Sequence, residues 1–128
     1  MPERIRSFED LKVYQKLCEL HLEICKESLK FSKFEIYELG SQIRRSSNSA
    51  PANLAECWNN KHTNIYLEGI NRSLGEVQET KHHLNIAYKK NYLSTERYQY
   101  FGNGCDECEK MLHGLEASLL KWQDSKRK

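Results

Sequence analysis

Apolar residues recur every three or four positions along nearly the whole chain, and this period constrains the fold more than any other feature of the sequence. The clearest run lies between residues 67 and 88 and comprises Leu67, Ile70, Leu74, Val77, Leu84 and Tyr88, interrupted by Lys81. Such spacing puts side chains on one face of a helix, whereas a strand would need a period of two, which is scarce here. The sequence therefore predicts an all-α protein.

Breaks in the period divide the chain into four predicted helices. They cover about residues 8–30, 36–58, 63–90 and 95–122. Ser7 and Asp10 have the spacing of a helix N-terminal cap, and the short polar stretches between the helices leave only short loops. Long helices joined in this way predict an antiparallel up-down-up-down four-helix bundle. We expect one domain over residues 1–128, with a basic C-terminal tail at about 123–128.

The first predicted helix carries more apolar residues than a single partner helix can bury. Its predicted seam comprises Leu11, Tyr14, Cys18, His21, Leu22, Cys25 and Leu29, and the residues that widen it are Val13, Leu17, Leu20 and Ile24. One flank should face the bundle core and the other a different surface. A second copy of the chain can supply that surface, so we expect a homo-oligomer.

The stretch SQIRRSSNSAPANLAECW at residues 41–58 has small and polar side chains, and a proline, where a helix would normally bury leucine. Polar residues recur along one face of it at spacings of three or four, and Glu76 lies on the next predicted helix. The predicted polar network comprises Gln42, Arg45, Asn53, Glu56 and Glu76. A buried network of this kind would fix the register of the helices. The alternative is that Arg45 and Glu56 lie on a solvated face.

Patterns that indicate catalysis or metal binding are weak in this sequence. The five cysteines are odd in number and fall at helical apolar positions, which is typical of reduced thiols rather than of a disulfide framework. Cys105 and Cys108 form one CxxC without a second pair, and Glu79 and His82 form a single Glu-x-x-His. No apolar run approaches the roughly 20 residues of a membrane span. We expect a cytoplasmic protein without catalytic residues, metal, cofactor or membrane contact.

Three segments follow one another in the order of a known family. They are FEDLKVYQ at 8–15, LGSQIRRSSNSAPANLAE at 39–56 and SLGEVQET at 73–80. They resemble the four-helix-bundle proteins encoded in intervening sequences of bacterial 23S rRNA genes, which read F-x-D-L-x-V, Q-x-R-R-A-x-x-S-I-x-x-N-I-A-E-G and G-S-L-x-E. The accessory variability proteins of diversity-generating retroelements are a related family with the same fold. The resemblance implies a homopentameric barrel of bundles, nucleic acid as the suspected ligand and no known enzymatic activity.

Two residues depart from the pattern of that family. Cys57 stands where glycine usually follows Ala-Glu, and Arg72 stands where glycine usually precedes Ser-Leu. Because glycine lets two backbones approach closely, both changes bear on the contact between the second and third helices.

Basic residues on the second and third predicted helices indicate where nucleic acid would bind. The predicted basic face comprises Arg44, Lys61, Arg72, Lys89 and Lys90. Its contacts would be to phosphates, so binding would be independent of base sequence and weakened by salt. Alternatively these are scattered surface charges, and the protein is an interaction scaffold that supports a reverse transcriptase or an RNA-processing factor. The net charge of only +2 excludes a bulk attraction for polyanions but leaves a local basic face open.

Overall fold

The computed structural model describes residues 5–127, and no residue in this range belongs to a β-strand. The elements in chain order are a 3-10 turn Phe8–Asp10, α1 Lys12–Ser28, α2 Lys33–Tyr37, α3 Leu39–Cys57, α4 Thr63–Lys89 and α5 Thr95–Arg127. The long helices α1, α3, α4 and α5 form a four-helix bundle in which α1 and α4 each pack against both α3 and α5. The predicted all-α four-helix fold is therefore confirmed.

Packed neighbours in the bundle run in opposite directions, as their side-chain contacts show. The pairs are Lys16–Glu107, Glu23–Tyr100 and Glu27–Arg97 between α1 and α5, Lys81–Asp106 and Tyr88–Tyr98 between α4 and α5, Ser46–Thr80 and Ala50–Ser73 between α3 and α4, and His21–Ser47 and Ser28–Arg44 between α1 and α3. In each set the residue number rises on one helix while it falls on the other, which is the signature of an antiparallel pair.

The N-terminal cap forms, but it caps a shorter element than predicted. The backbone N–H of Glu9 donates to Ser7 Oγ over 3.2 Å, and the backbone N–H of Ser7 donates to Asp10 Oδ2 over 3.1 Å. Leu11 then adopts an extended backbone with ψ 126°, so α1 begins at Lys12 rather than at Phe8. Because an extended residue cannot continue a helix, the cap belongs to the 3-10 turn alone.

The second predicted helix, 36–58, is two helices that meet at Glu38. Glu38 has φ −102° and ψ −88°, which separates α2 from α3. In a continuous helix the carbonyl oxygen of Ile36 would accept a hydrogen bond from the backbone of Gly40. Here that oxygen accepts from Arg44 Nη2 over 2.8 Å. A side chain thus replaces the backbone donor and stabilises the break.

The flank of α1 that faces the core is the one that the residues widening the predicted seam form. The buried residues on α1 are Val13, Leu17, Leu20, Ile24 and Ser28. Of the predicted seam, Cys18 and Cys25 are half-buried, whereas Leu22 and Leu29 are 61% and 63% exposed. The predicted excess of apolar surface on this helix is present, and it lies outside the bundle.

Small side chains bring α3 and α4 unusually close. Thr80 Oγ1 and Ser46 Oγ share a buried hydrogen bond of 2.8 Å, and Ser73 Oγ donates to the carbonyl oxygen of Ala50 over 2.8 Å. At the far end, a Cβ built on Gly69 would lie 2.1 Å from the Cβ of Cys57. Hydroxyl pairs and a glycine therefore fill the interface where longer side chains would push the helices apart.

Candidate nucleic-acid interface

Arg44 does not project toward solvent as the predicted basic face requires. Its Nη1 donates to Ser28 Oγ and its Nη2 to the carbonyl oxygen of Ile36, both over 2.8 Å. The two bonds use the guanidinium fork to connect the end of α1, the short α2 and the start of α3. Arg44 is accordingly a structural clamp, because two of its five N–H donors, one on each terminal nitrogen, are committed inside the fold.

The remaining residues of the predicted basic face lie far apart. Lys61 precedes α4 and Lys89 ends it, and 27 residues of helix separate them by about 40 Å. Arg72 lies between them and forms an exposed ion pair of 2.7 Å with Glu68 one turn away. The five residues therefore do not form one compact face. Helical spacing alone could not reveal this, since it fixes direction around a helix but not the neighbours of the helix.

The predicted polar network is also divided by the structure. Arg45 contacts Glu76 over 3.4 Å and also bonds Glu79, but its side chain is 50% exposed. Asn53 donates to the carbonyl oxygen of Ser49 within α3, over 2.8 Å. Gln42 and Glu56 are exposed. The expected buried network is corrected to a surface cluster, and its physical reason is that small hydroxyl side chains occupy the buried positions between α3 and α4 instead.

Glu79, which sequence reasoning considered only for metal binding, joins that surface cluster. Its Oε2 accepts from Arg45 and lies 3.2 Å from His83 Nε2. Partial burial by itself would raise the pKa of Glu79, but the hydrogen bonds from His83 and Arg45 outweigh it and leave the pKa lowered. A carboxylate that stays ionised in this way is an acceptor for both Arg45 and His83. Among residues 5–127 no three His, Cys, Asp or Glu side chains come together as a metal site would need.

The pair Cys105 and Cys108 belongs to the core. Both are fully buried between the helices, and burial raises the pKa of Cys105 to about 12 and that of Cys108 to about 11. Thiols with such high pKa values remain protonated near neutral pH and are poor nucleophiles. Their spacing therefore reflects the helical seam of α5.

One end of the bundle gathers lysines that the sequence did not associate with each other. We call it the basic end; it is the region where α1 leads into α2 and α4 turns into α5, with Lys26, Lys30, Lys33, Lys89 and Lys90. Phe31 stacks on Tyr92 across the two connections at a centroid distance of 5.2 Å, which holds them together. Two of the residues predicted for the basic face, Lys89 and Lys90, lie here.

The lysines of the basic end differ in how free they are. Lys90 Nζ lies 2.6 Å from Oε2 of the buried Glu35, and that hydrogen bond is the main reason why the pKa of Glu35 is lowered. Lys30 is 3.6 Å from Glu27, at the exposed rim. Lys26, Lys33 and Lys89 are exposed and have no ion-pair partner in the part of the chain that the structure describes. These three can neutralise an external anion without first breaking an internal bond.

The fold and the basic end together define a class of protein, a small antiparallel four-helix bundle with free lysines at one end. The chain belongs to the family of 23S rRNA-intervening sequence proteins, whose model matches residues 9–114. A solved structure from Bacteroides thetaiotaomicron VPI-5482, a protein with unknown function from the S23 ribosomal protein family, is similar to it. The two chains are 26% identical with a TM-score of 0.71, over 81% of this chain and 97% of that chain. A comparison with curated proteins found no match.

The two departures from the family pattern have different surroundings. Arg72 is exposed and pairs with Glu68, so it does not disturb the contact between helices. Cys57 is buried directly opposite Gly69, which has no side chain. The space that a glycine at position 57 would supply is thus supplied from the facing helix.

Proposed function

We propose that the protein is a non-enzymatic, cytoplasmic nucleic-acid-binding module that acts as a homo-oligomer. The observation that carries the proposal is the set of three unpaired lysines at the basic end, Lys26, Lys33 and Lys89. Lysine ammonium groups bind phosphate as point charges, so they favour RNA or DNA of any sequence. The free cysteines favour a reducing compartment, and between residues 5 and 127 no helix combines the length and apolar character that a bilayer crossing demands.

Self-association raises the overall affinity for a polyanion, although the phosphate contacts of one copy are weak. Three lysines on one bundle bind a polyanion weakly at physiological salt, but several copies on one strand raise the effective concentration for each further contact. The resemblance noted above favours a pentamer. A ring of five basic ends would present fifteen such lysines to one strand, if three come from each bundle.

The outer side of α1 supports the proposal of self-association. Leu22 and Leu29 are exposed and alternate with the half-buried Cys18 and Cys25 at spacings of three and four residues. Such spacing is what a helix from another copy would need in order to pack along α1. Beside this stripe a shallow groove of about 620 Å³ lies between α1 and α3, with Ala52 among its lining residues. The stripe and the groove share Cys25 and are parts of one surface, which a second copy of the chain would cover.

Charge on that stripe should dissociate the oligomer. We expect Leu22→Glu with Leu29→Glu to convert the protein to a folded monomer, because two carboxylates would be buried without partners at each contact. Light scattering measures the mass, and circular dichroism verifies that helix content is retained. The control is Ile65→Glu with Leu120→Glu, which puts the same charges at two exposed apolar positions elsewhere. A wild-type protein that is already monomeric at micromolar concentration would contradict the proposal.

Neutralising the free lysines should weaken binding and flatten its salt dependence. For Lys26→Gln, Lys33→Gln and Lys89→Gln together, we expect the slope of log Kd against log salt to fall by about 2 for a single strand, since each lost phosphate contact removes about 0.7. Fluorescence anisotropy of a labelled RNA over a range of salt concentrations measures this slope. The matched control is Lys61→Gln, Lys110→Gln and Lys121→Gln, three exposed lysines away from the basic end.

Equal losses in both lysine variants would mean that binding is not localised at the basic end. A wild-type protein that retains no RNA or DNA even at low salt would overturn the nucleic-acid proposal altogether. Both results can be read from the same titration, because the control variant carries the same change in net charge.

A second candidate function is an interaction scaffold for a protein such as a reverse transcriptase or an RNA-processing factor. The observation that favours it is the end of α5, where Leu120 and Trp122 are exposed and lie beyond the residues that match the family model. Exposed apolar groups on a terminal helix are typical of protein contacts. Binding of a purified candidate protein that Trp122→Ala abolishes, together with no retention of RNA at low salt, would favour this function.

A further inference from the structure

The five-residue helix α2 is held in place by contacts at three points. Arg44 Nη2 donates to the carbonyl oxygen of Ile36, Lys90 pairs with Glu35, and Phe31 just before the helix stacks on Tyr92. A helix this short is not stable by itself in water. Its order therefore depends on these contacts, which come from α3, from the end of α4 and from the connection to α5.

The side of α2 that faces solvent carries two aromatic rings. Phe34 and Tyr37 are 73% and 75% exposed, more than any other large hydrophobic residue between positions 5 and 127. They are three residues apart on a helix, so both rings lie on one face, and Lys33 lies one turn before Tyr37 on that side. The opposite side of α2 carries the buried Glu35 and the half-buried Ile36. The contacts on the buried side of α2 thus hold Phe34 and Tyr37 on its exposed side, where the apolar faces of both rings are in contact with water.

We infer that α2 is a stacking platform for the unpaired bases of single-stranded nucleic acid. Exposed aromatic rings beside cations are the recurring elements of sites for single strands, because every base has a face that can stack and every nucleotide has a phosphate. Lys33 lies one turn from Tyr37 on α2, while Lys26, Lys30 and Lys89 supply further positive charge at the same end of the bundle. The inference rests on the proposed nucleic-acid function and adds the class of ligand to it.

The platform predicts a preference that lysines alone do not. In a duplex the base faces are covered by their neighbours, so only phosphates are available to the protein. Single strands can turn bases outward onto Phe34 and Tyr37 while their phosphates approach the lysines. Duplex of the same length should bind through the lysines only, so its affinity should not depend on the two rings.

Removing the rings while keeping their apolar character tests the inference. Phe34→Leu with Tyr37→Leu should weaken binding of a 12-nucleotide single strand about tenfold or more, the loss typical when stacking partners are removed, and should leave duplex binding unchanged. The salt slope should stay as in wild type because no lysine is changed. Trp122→Leu, which removes an exposed aromatic ring near the far end of α5, is the control and should bind as wild type does.

Each other result separates the platform from the proposed function. If the leucine variant binds the single strand as tightly as wild type while the lysine variant does not, the platform is wrong and the nucleic-acid function stands. If light scattering shows that the leucine variant has lost its oligomeric mass, Phe34 and Tyr37 are contacts between copies and the inference is overturned. If wild type binds neither single strand nor duplex at low salt, the proposed function itself fails and the platform fails with it.

Discussion

Gly69→Ala is expected to lower the free energy of unfolding by about 3 kcal/mol, at the upper end of the range that overpacked cores show. The new Cβ would lie 2.1 Å from the Cβ of Cys57 and 2.4 Å from its Sγ. Neither atom is the end of a flexible chain, since a cysteine side chain is short and this one is buried. The helices α3 and α4 would have to separate, and the gain of about 1 kcal/mol in helix propensity from glycine to alanine cannot offset that.

Further variants test whether the loss of stability comes from the contact between positions 69 and 57. Gly75→Ala lies on the same helix with no atom within 4 Å of the added Cβ, so it should raise stability by up to about 1 kcal/mol. Cys57→Gly in the background of Gly69→Ala should recover most of the loss, because it returns to position 57 the glycine that the family pattern has there. Urea denaturation of wild type, Gly69→Ala, Cys57→Gly and the double variant gives a double-mutant cycle with a large coupling energy. Equal stability of Gly69→Ala and Gly75→Ala would contradict the close contact.

The helical period was sufficient to predict the fold, because a repeat of three to four residues over more than two heptads has one physical explanation. It was not sufficient to choose the buried flank of α1. The set containing Cys18 and Leu22 and the set containing Leu17 and Ile24 have the same spacing, so periodicity ranks them equally. Packing against α3 and α5 decides between them, and that information is not local.

The short helix α2 could not be predicted for a related reason. Five residues contain too few turns to show a period, and the segment gains its order from Arg44 and Lys90, which are distant in sequence. The clue was present in the run LKFSKFEIY at residues 29–37, where lysines and aromatic residues alternate. The run is ordinary for the end of a helix, and only its exposure at the basic end of the structure indicates a function.

The residues predicted for the basic face do not lie together, because spacing within one helix does not determine which residues of different helices share a surface. Lys61 and Lys89 both belong to the region of α4 in sequence but lie at opposite ends of it. Arg44 and Arg45 are adjacent in sequence, yet one is engaged inside the fold and the other lies in an exposed cluster. Whether each of two neighbouring arginines is engaged or exposed depends on the helices that pack around it. The sequence alone does not give the positions of those helices.

Arg44→Met is expected to cost about 3 kcal/mol of stability, because each of its two hydrogen bonds involves a charged donor and such bonds contribute about 1.5–3 kcal/mol. The carbonyl oxygen of Ile36 would lose the donor that replaces the backbone N–H at the break. Arg44→Lys should not restore it, since one ammonium cannot supply the fork that serves Ser28 and Ile36 together. Arg45→Met is the matched control: its pairs are half exposed and should be worth less than about 1 kcal/mol.

The same two variants decide whether Arg44 is a clamp or a phosphate contact. If it is a clamp, Arg44→Met unfolds at lower urea, and hydrogen exchange of the Ile36 amide, which donates to the carbonyl oxygen of Ser32, accelerates because α2 loses one of its contacts. Nucleic-acid binding then falls as a consequence, since Phe34 and Tyr37 are no longer held at the basic end, while the salt slope, set by the unchanged lysines, remains close to that of wild type. If it is a phosphate contact, urea stability and exchange stay unchanged, and the salt slope decreases by about 0.7. The hydrogen bonds to Ser28 and Ile36 lead us to expect the first result.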